Sequence, residues 1–349
     1  MFDPDKPIEC LNEEDCKRKD KLRRWDYSRK LGEAILKYDS DESLVIGLEG
    51  QWGQGKTSII NMALTHVKSS GTEDEEPIVF IFNPWYFSNQ NQLIQKFFDE
   101  FKIVLNNYVD DTNLKSKIDS LINRLIPPII GLAAIVDPQR TEALIHNVQY
   151  FEGDPSPEES LESIKKDINE IIRSTIDRKI IIIIDDIDRL VPLEIRQIFK
   201  LVKLIADFPK TVYILSFDRE VVVKALNDKD SNLGEQYLQK IIQIPFEVPE
   251  INKVDIEEVL FQQIDEIIID SDNFDQTHWW NLYSSALKYY FNNIRDVKLY
   301  INALKFNYSI IKNEVNTADF LAILTIQLFE NDIYKSIRDN KDFFAGKYN

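Results

Sequence analysis

Residues Leu44–Thr57 read LVIGLEGQWGQGKT, and this stretch decides the fold. The apolar run Leu44–Gly50 predicts a buried strand that ends in glycine. Gly50–Thr57 then fits G-x-x-x-x-G-K-[ST] in full, the pattern of a P-loop. The chain has only 10 glycines in 349 residues, and three of them are Gly50, Gly53 and Gly55. Glycine there lets successive N–H groups turn inward around phosphate oxygens. A helix predicted from Thr57 to Lys68 aims its positive end at the same place. Phosphate contacts are therefore expected from Gly50, Gln51, Trp52, Gly53, Gln54, Gly55, Lys56, Thr57 and Ser58. Lys56 is expected to reach the β- and γ-phosphates, and the Thr57 hydroxyl to ligate Mg2+. Trp52 lies inside the loop, where it either shields the phosphates or presents a contact surface.

A second signal lies at Ile180–Leu190, IIIIIDDIDRL. Five isoleucines in a row predict a strand buried on both faces. Carboxylates at the C-terminal end of such a strand stand where open α/β sheets bind ligands. Asp185 is expected to hold the magnesium through water. Asp186 is expected to orient or deprotonate an attacking water, or else to cap the next helix, a reading open to Asp188 as well. A third strand end, Thr211–Phe217, offers Ser216 and Asp218 as phosphate or water contacts, with helix capping as the alternative for Asp218. Arg189, Arg219 and Arg295 are candidates to neutralise charge developing on the γ-phosphate. For Arg189 a pairing with Asp186 or Asp188 is the simpler reading.

Working outward, a helix is expected over Lys21–Tyr38 and a second strand over Ile78–Phe82. Mostly helical sequence follows over Gln90–Tyr150, then a loop at Gly153–Glu159 and a helix to about Asp177. A helix over Pro192–Phe208 and a fifth strand over Ile241–Val248 complete the alternation. This predicts an α/β fold: a five-stranded parallel sheet with a helical insertion, about 90–178, between strands 2 and 3. From Asn252 the pattern is helical and rich in aromatics. The expected organisation is an extension at 1–20, a core at 21–249 and a helical subdomain at 250–349. Trp85 and Tyr86 follow a strand end, where packing under the next helix is expected.

Bulk properties narrow the partners. Lys and Arg number 42 against 59 Asp and Glu, a net charge of −17. Such a surface repels nucleic-acid backbones except at a local basic patch, which argues against a DNA-acting motor. The apolar run Leu125–Val136 is too short to span a membrane, and Pro127 and Pro128 are expected to break its start. The first twenty residues are charged and lack a leader's apolar region, so a cytoplasmic protein is expected. Cys10 and Cys16 are then expected to be reduced thiols. His66, His146 and His278 form no constellation.

These stretches resemble the KAP family of P-loop NTPases when taken together. GQWGQGKT is similar to the family's G-x-W-G-x-G-K-[ST] loop, and FNPWYFS at Phe82–Ser88 to the signature after its second strand. IIIDDIDRL, YILSFDREVVVKAL at Tyr213–Leu226 and YLQKIIQIPFEVP at Tyr237–Pro249 resemble its later strands. NIRDVKLYINAL at Asn293–Leu304 resembles an element of its helical domain, with Ile294 and Leu299 where the family often has Pro and Arg. The resemblance spans about Lys21–Leu304. It implies ATP as the nucleotide and places the acidic strand beside the P-loop strand. It also keeps Arg295 as a candidate catalytic arginine, and implies coupling of ATP to a homo-oligomer or an effector protein, with bacterial relatives associated with defence against phages or plasmids. Membrane segments that many members carry between the P-loop and the acidic strand are not matched here. Asp186, where many such enzymes use Glu, leaves a nucleotide switch with negligible turnover as the other reading.

Overall fold

The computed structural model describes residues 5–71, 76–87, 92–134, 161–205, 207–227, 233–269, 274–311 and 314–344. The expected loop at 153–159, the end of the apolar run at 135–136, His146 and Ser88 lie outside them. By internal packing the chain divides into two compact units. One comprises 9–16 and 25–249, the other 1–8, 17–24 and 250–349.

Helix α1 (Glu13–Lys19) precedes the larger unit's core, where α2 (Trp25–Lys37), β1 (Leu44–Glu49), α3 (Lys56–Ser69) and β2 (Ile78–Phe82) follow. Then come α4 (Leu93–Asn106), α5 (Thr112–Ala134), α6 (Leu161–Thr175), β3 (Ile180–Ile184) and α7 (Pro192–Ile205). The unit closes with β4 (Thr211–Phe217), α8 (Arg219–Leu226), α9 (Gly234–Gln239) and β5 (Ile244–Glu247). All five strands are parallel, in the order β2-β3-β4-β1-β5.

This order corrects one expectation. The acidic strand β3 does not lie beside the P-loop strand, because β4 stands between them. Its seven residues, TVYILSF, are buried throughout, which suits a central strand covered on both faces. β5 is confined to the edge, where Pro245 needs no partner for a missing N–H. It is also shorter than expected, since Ile241 and Ile242 turn out of α9 instead of pairing.

The five isoleucines of β3 are fully buried. On one face of the sheet, Phe80 and Phe82 of β2 meet Phe97 and Phe101 of α4 at ring distances of 5.2 to 5.5 Å. Lys179, just ahead of β3, donates to the carbonyls of Ile35 and Leu36 at the end of α2. Burial pushes its ammonium below the usual lysine value, while nearby Asp39 opposes the shift.

Two further expectations are corrected. Pro127 and Pro128 do not break the apolar run; α5 continues through both. An interior proline costs about 3 kcal/mol, which burial of Leu125, Ile126 and Ile129, at ~1.5–3 kcal/mol each, offsets. Cys10 and Cys16 are joined by a disulfide instead of being free thiols. Asn12 accepts from Asp15 N and, through its carbonyl, from Cys16 N, and the turn brings the two Cα atoms to 5.1 Å.

The smaller unit is helical: α10 (Lys253–Ile268), α11 (Gln276–Ser285), α12 (Ile294–Ile311), α13 (Thr317–Phe329), α14 (Asn331–Asp339) and α15 (Lys341–Phe344). Its core gathers Trp279, Tyr283, Phe291, Tyr300 and Tyr308 with aliphatic residues of α10, α12 and α13. No described helix is long and apolar enough to cross a membrane.

Candidate nucleotide-binding site

The site forms where β1 and β3 end. Gly50 N donates to Phe217 O, so the loop leaves β1 still tied to β4. Gly53 and Gly55 adopt φ of 85° and 81°, the left-handed region that a side chain resists. Gly55 is the N-cap of α3 and no side chain caps that end, so the helix offers its first N–H groups to the loop's concavity. Gln51 N donates to Gln54 Oε1 at 2.8 Å, and Gln54 N to Gln51 O at 3.2 Å, which closes the outer turn. Trp52 is 60% exposed. Ser58 sits in the first turn of α3, one residue past Thr57.

Lys56 is buried, and its Nζ donates to Gly50 O at 2.8 Å and to Gln51 O at 3.4 Å. It also pairs with Asp188 Oδ2 at 3.5 Å. Thr57 Oγ1 donates to Asp185 Oδ2 at 2.7 Å, which places the two expected metal ligands side by side. Asp185 is buried, and its other oxygen accepts from Asp186 N at 2.9 Å. A hydroxyl and a carboxylate form the hard-oxygen donor set that suits Mg2+, which takes few protein ligands and completes its shell with phosphate and water. The described residues contain no cluster of three or more His, Cys, Asp or Glu able to hold a metal. The left-handed glycines and the uncapped α3 likewise fit a polyphosphate.

Asp186 is a non-glycine residue at φ 58°, ψ 31°. Both of its oxygens are engaged: Oδ2 accepts from Asn83 Nδ2 at 2.8 Å and Oδ1 meets Arg189 Nη2 at 2.8 Å. Burial raises its carboxyl above the usual aspartate value and adjacent Asp185 adds to the rise, while Asn83 and Arg189 oppose it. Sequence reasoning passed over Asn83. The strand-end rule that singles out Asp185 applies to it equally, since Asn83 follows the last residue of β2. Asn83 also accepts from Trp85 N and so shapes the 3-10 turn Pro84–Tyr86.

Arg189 stacks over the Trp85 ring with its guanidinium carbon 5.2 Å from the centroid. Trp85 stays 51% exposed and Tyr86 74%, so the expectation that they pack under the next helix is corrected: Trp85 meets the Arg189 guanidinium and the Tyr86 ring. Arg219 is committed elsewhere, donating to both oxygens of buried Glu49 at 2.6 Å and to Glu235. Asp218 caps α8, accepting from Glu220 N and Val221 N. Ser216, in register with Leu48 of β1, has a buried Oγ with no hydrogen-bond partner among the described residues. Arg295 belongs to the helical unit, where its Nε bonds Asp5.

Among known proteins, the KAP family P-loop domain matches residues 24–311. The phage T7 exclusion protein of Escherichia coli (strain K12) is 27% identical over 337 residues, which cover 87% of this chain and 44% of that protein. The chain thus spans less than half the length of this relative. The solved structure of the Aeropyrum pernix ORC1 protein in complex with DNA has 11% identity and a TM-score of 0.45, covering 91% of this chain and 68% of that one. The Aeropyrum pernix ORC2 protein, solved as ADPNP-ADP complexes, has 13% identity and a TM-score of 0.45, covering 93% and 70%. Likenesses of this size do not bear on function. The family match is of another kind, because it takes in the P-loop, the turn after β2 and the acidic turn after β3, and the chain belongs to the KAP family of P-loop NTPases.

Proposed function

We propose that this chain binds Mg-ATP in the Gly50–Thr57 loop and hydrolyses it slowly, coupling nucleotide state to a homo-oligomer or an effector protein. The observation that carries the reading is the Thr57–Asp185 hydrogen bond, which joins the end of the P-loop to the end of β3. Lys56 and the backbone of residues 50–58 would hold the phosphates, and Thr57 and Asp185 the magnesium. Bound there, Mg2+ supplies charge neutralisation at the β- and γ-phosphates. Asp186 is the proton acceptor for the attacking water, and its raised carboxyl makes it a stronger base than an ordinary aspartate. Asn83 and Arg189 restrain it, which supports a low basal rate until a partner changes that turn. Arg295 is kept as the candidate catalytic arginine by family resemblance alone.

The phage T7 exclusion relative supports a role in anti-phage defence, and the net charge of −17 disfavours a DNA-tracking motor. The full occupancy of the Asp186 carboxylate favours a second reading, a nucleotide switch without significant turnover. The two separate on steady-state phosphate release alongside equilibrium ATP binding. Release that vanishes in Asp186→Asn while binding persists supports the ATPase. Binding without release supports the switch. ATP binding that survives unchanged in Lys56→Ala sinks both.

A further inference from the structure

The carboxylates around the ends of β3 and β4 are not alike. Asp185 has both oxygens hydrogen bonded, as does Asp186, and Asp218 caps a helix. Asp188 differs. Its side chain is only 5% exposed, yet Oδ1 has no hydrogen-bond partner among the described residues and Oδ2 faces Lys56 Nζ at 3.5 Å. Lys56 itself is only 8% exposed at its side chain. A carboxylate kept for folding would have both oxygens filled by hydrogen-bond or ion-pair partners, as those of Asp185 and Asp186 are. Among the described residues, the ion pair of Asp188 is with the lysine that phosphates must also use.

We propose that Asp188 is a built-in counter-ion that holds Lys56 in the nucleotide-free protein and makes tight ATP binding depend on Mg2+. The inference rests on the reading of Gly50–Thr57 as an ATP site. Without nucleotide, Asp188 stands in for a phosphate and lowers the cost of a buried ammonium. When ATP enters, Lys56 turns to the β- and γ-phosphates and Asp188 is left as a negative charge near a polyanion. Repulsion at this depth is weakly screened, so ATP alone is penalised. Thr57 and Asp185 would hold the Mg2+ whose positive charge would relieve it. Asp188 thus acts through Lys56, as a positioning residue.

The test is equilibrium binding of ATP to the full chain, with excess EDTA and with Mg2+ at matched ionic strength. Asp188→Asn is expected to bind Mg-free ATP about tenfold or more tightly than wild type, with a much smaller gain on adding Mg2+. Asp188→Glu keeps the charge and is expected to behave as wild type. In thermal melts without nucleotide, Asp188→Asn is expected to lose stability, and its ATP-induced shift to widen. A purely structural Asp188 predicts the reverse, weaker binding with and without Mg2+. Equal Mg-free affinities for wild type and Asp188→Asn, or a weaker one for the variant, overturn the counter-ion. If Asp188→Asn fails to fold, Asp188→Ser takes its place under the same criteria. A wild type that binds no ATP even with Mg2+ overturns the ATP site itself, and this inference with it.

Discussion

Two turns leave the same edge of the sheet, and both pass through left-handed backbone. The turn after β1 does so at Gly53 and Gly55, where no side chain pays a steric cost. The turn after β3 does so at Asp186, where glycine would be cheaper. The first turn gives up side chains so that bare N–H groups line a concavity. The second keeps a strained, poorly solvated carboxylate and ties it down with Asn83 and Arg189. Strain retained where a cheaper residue would fold better points to chemistry at that residue. The first turn is read as binding, the second as reaction.

The largest effect expected from this contrast is at the first turn. Lys56→Ala should weaken Mg-ATP binding by about 100-fold or more, since it removes the only side-chain cation of the loop and leaves Asp188 buried without its partner. Calorimetry reads this directly, and a loss below threefold would break the assignment of binding to this turn. At the second turn, Asp186→Asn should lower phosphate release by about 100-fold while ATP affinity stays within about threefold of wild type. A matching loss of affinity would mean the two turns do not divide the work.

Backbone cost gives a smaller and independent comparison. Gly55→Ala should destabilise the protein by about 1–2 kcal/mol, because a Cβ at φ 81° is strained in any environment. Asp186→Asn should do the opposite and stabilise by about 1 kcal/mol near neutral pH, since asparagine tolerates the left-handed region and carries no charge. The pH dependence follows from the raised carboxyl of Asp186. Folding favours its protonated form, so its stabilising contribution is complete below the ordinary aspartate value and is lost as pH rises through the raised one. The advantage of Asp186→Asn should therefore appear at neutral pH and shrink toward acid. Denaturant melts across that range check the sign.

These two turns also differ in how far the sequence announces them. Gly50–Thr57 is legible because its glycines, Lys56 and Thr57 each answer a backbone or charge requirement within eight consecutive positions. The five isoleucines of β3 are legible because only a doubly buried strand suits them. Asp185 and Asp186 follow from the end of that run. Their partners are not legible in the same way. Asn83 lies 103 positions from Asp186, and Asp188 lies 132 positions from Lys56. Which strands are neighbours decides such pairings, and strand order leaves no trace in any one strand, so β4 between β1 and β3 was missed. The helix through Pro127 and Pro128 was missed for a related reason: local propensity disfavours it, and only long-range burial of the apolar face outweighs that.

Asn83→Ala carries the smallest expected effect and bears on what the second turn is for. Asn83 donates to Asp186 Oδ2 and works against the upward shift of that carboxyl. Without it, Asp186 becomes a stronger base with one oxygen released, and basal phosphate release should rise by about threefold at neutral pH. Protonation then begins at higher pH, so the acid side of the rate profile should move upward relative to wild type. A fall in release with an unmoved acid limb would instead make Asn83 a support that holds Asp186 in place. The restraint would then rest on Arg189, whose guanidinium also stacks on half-exposed Trp85 of the turn after β2.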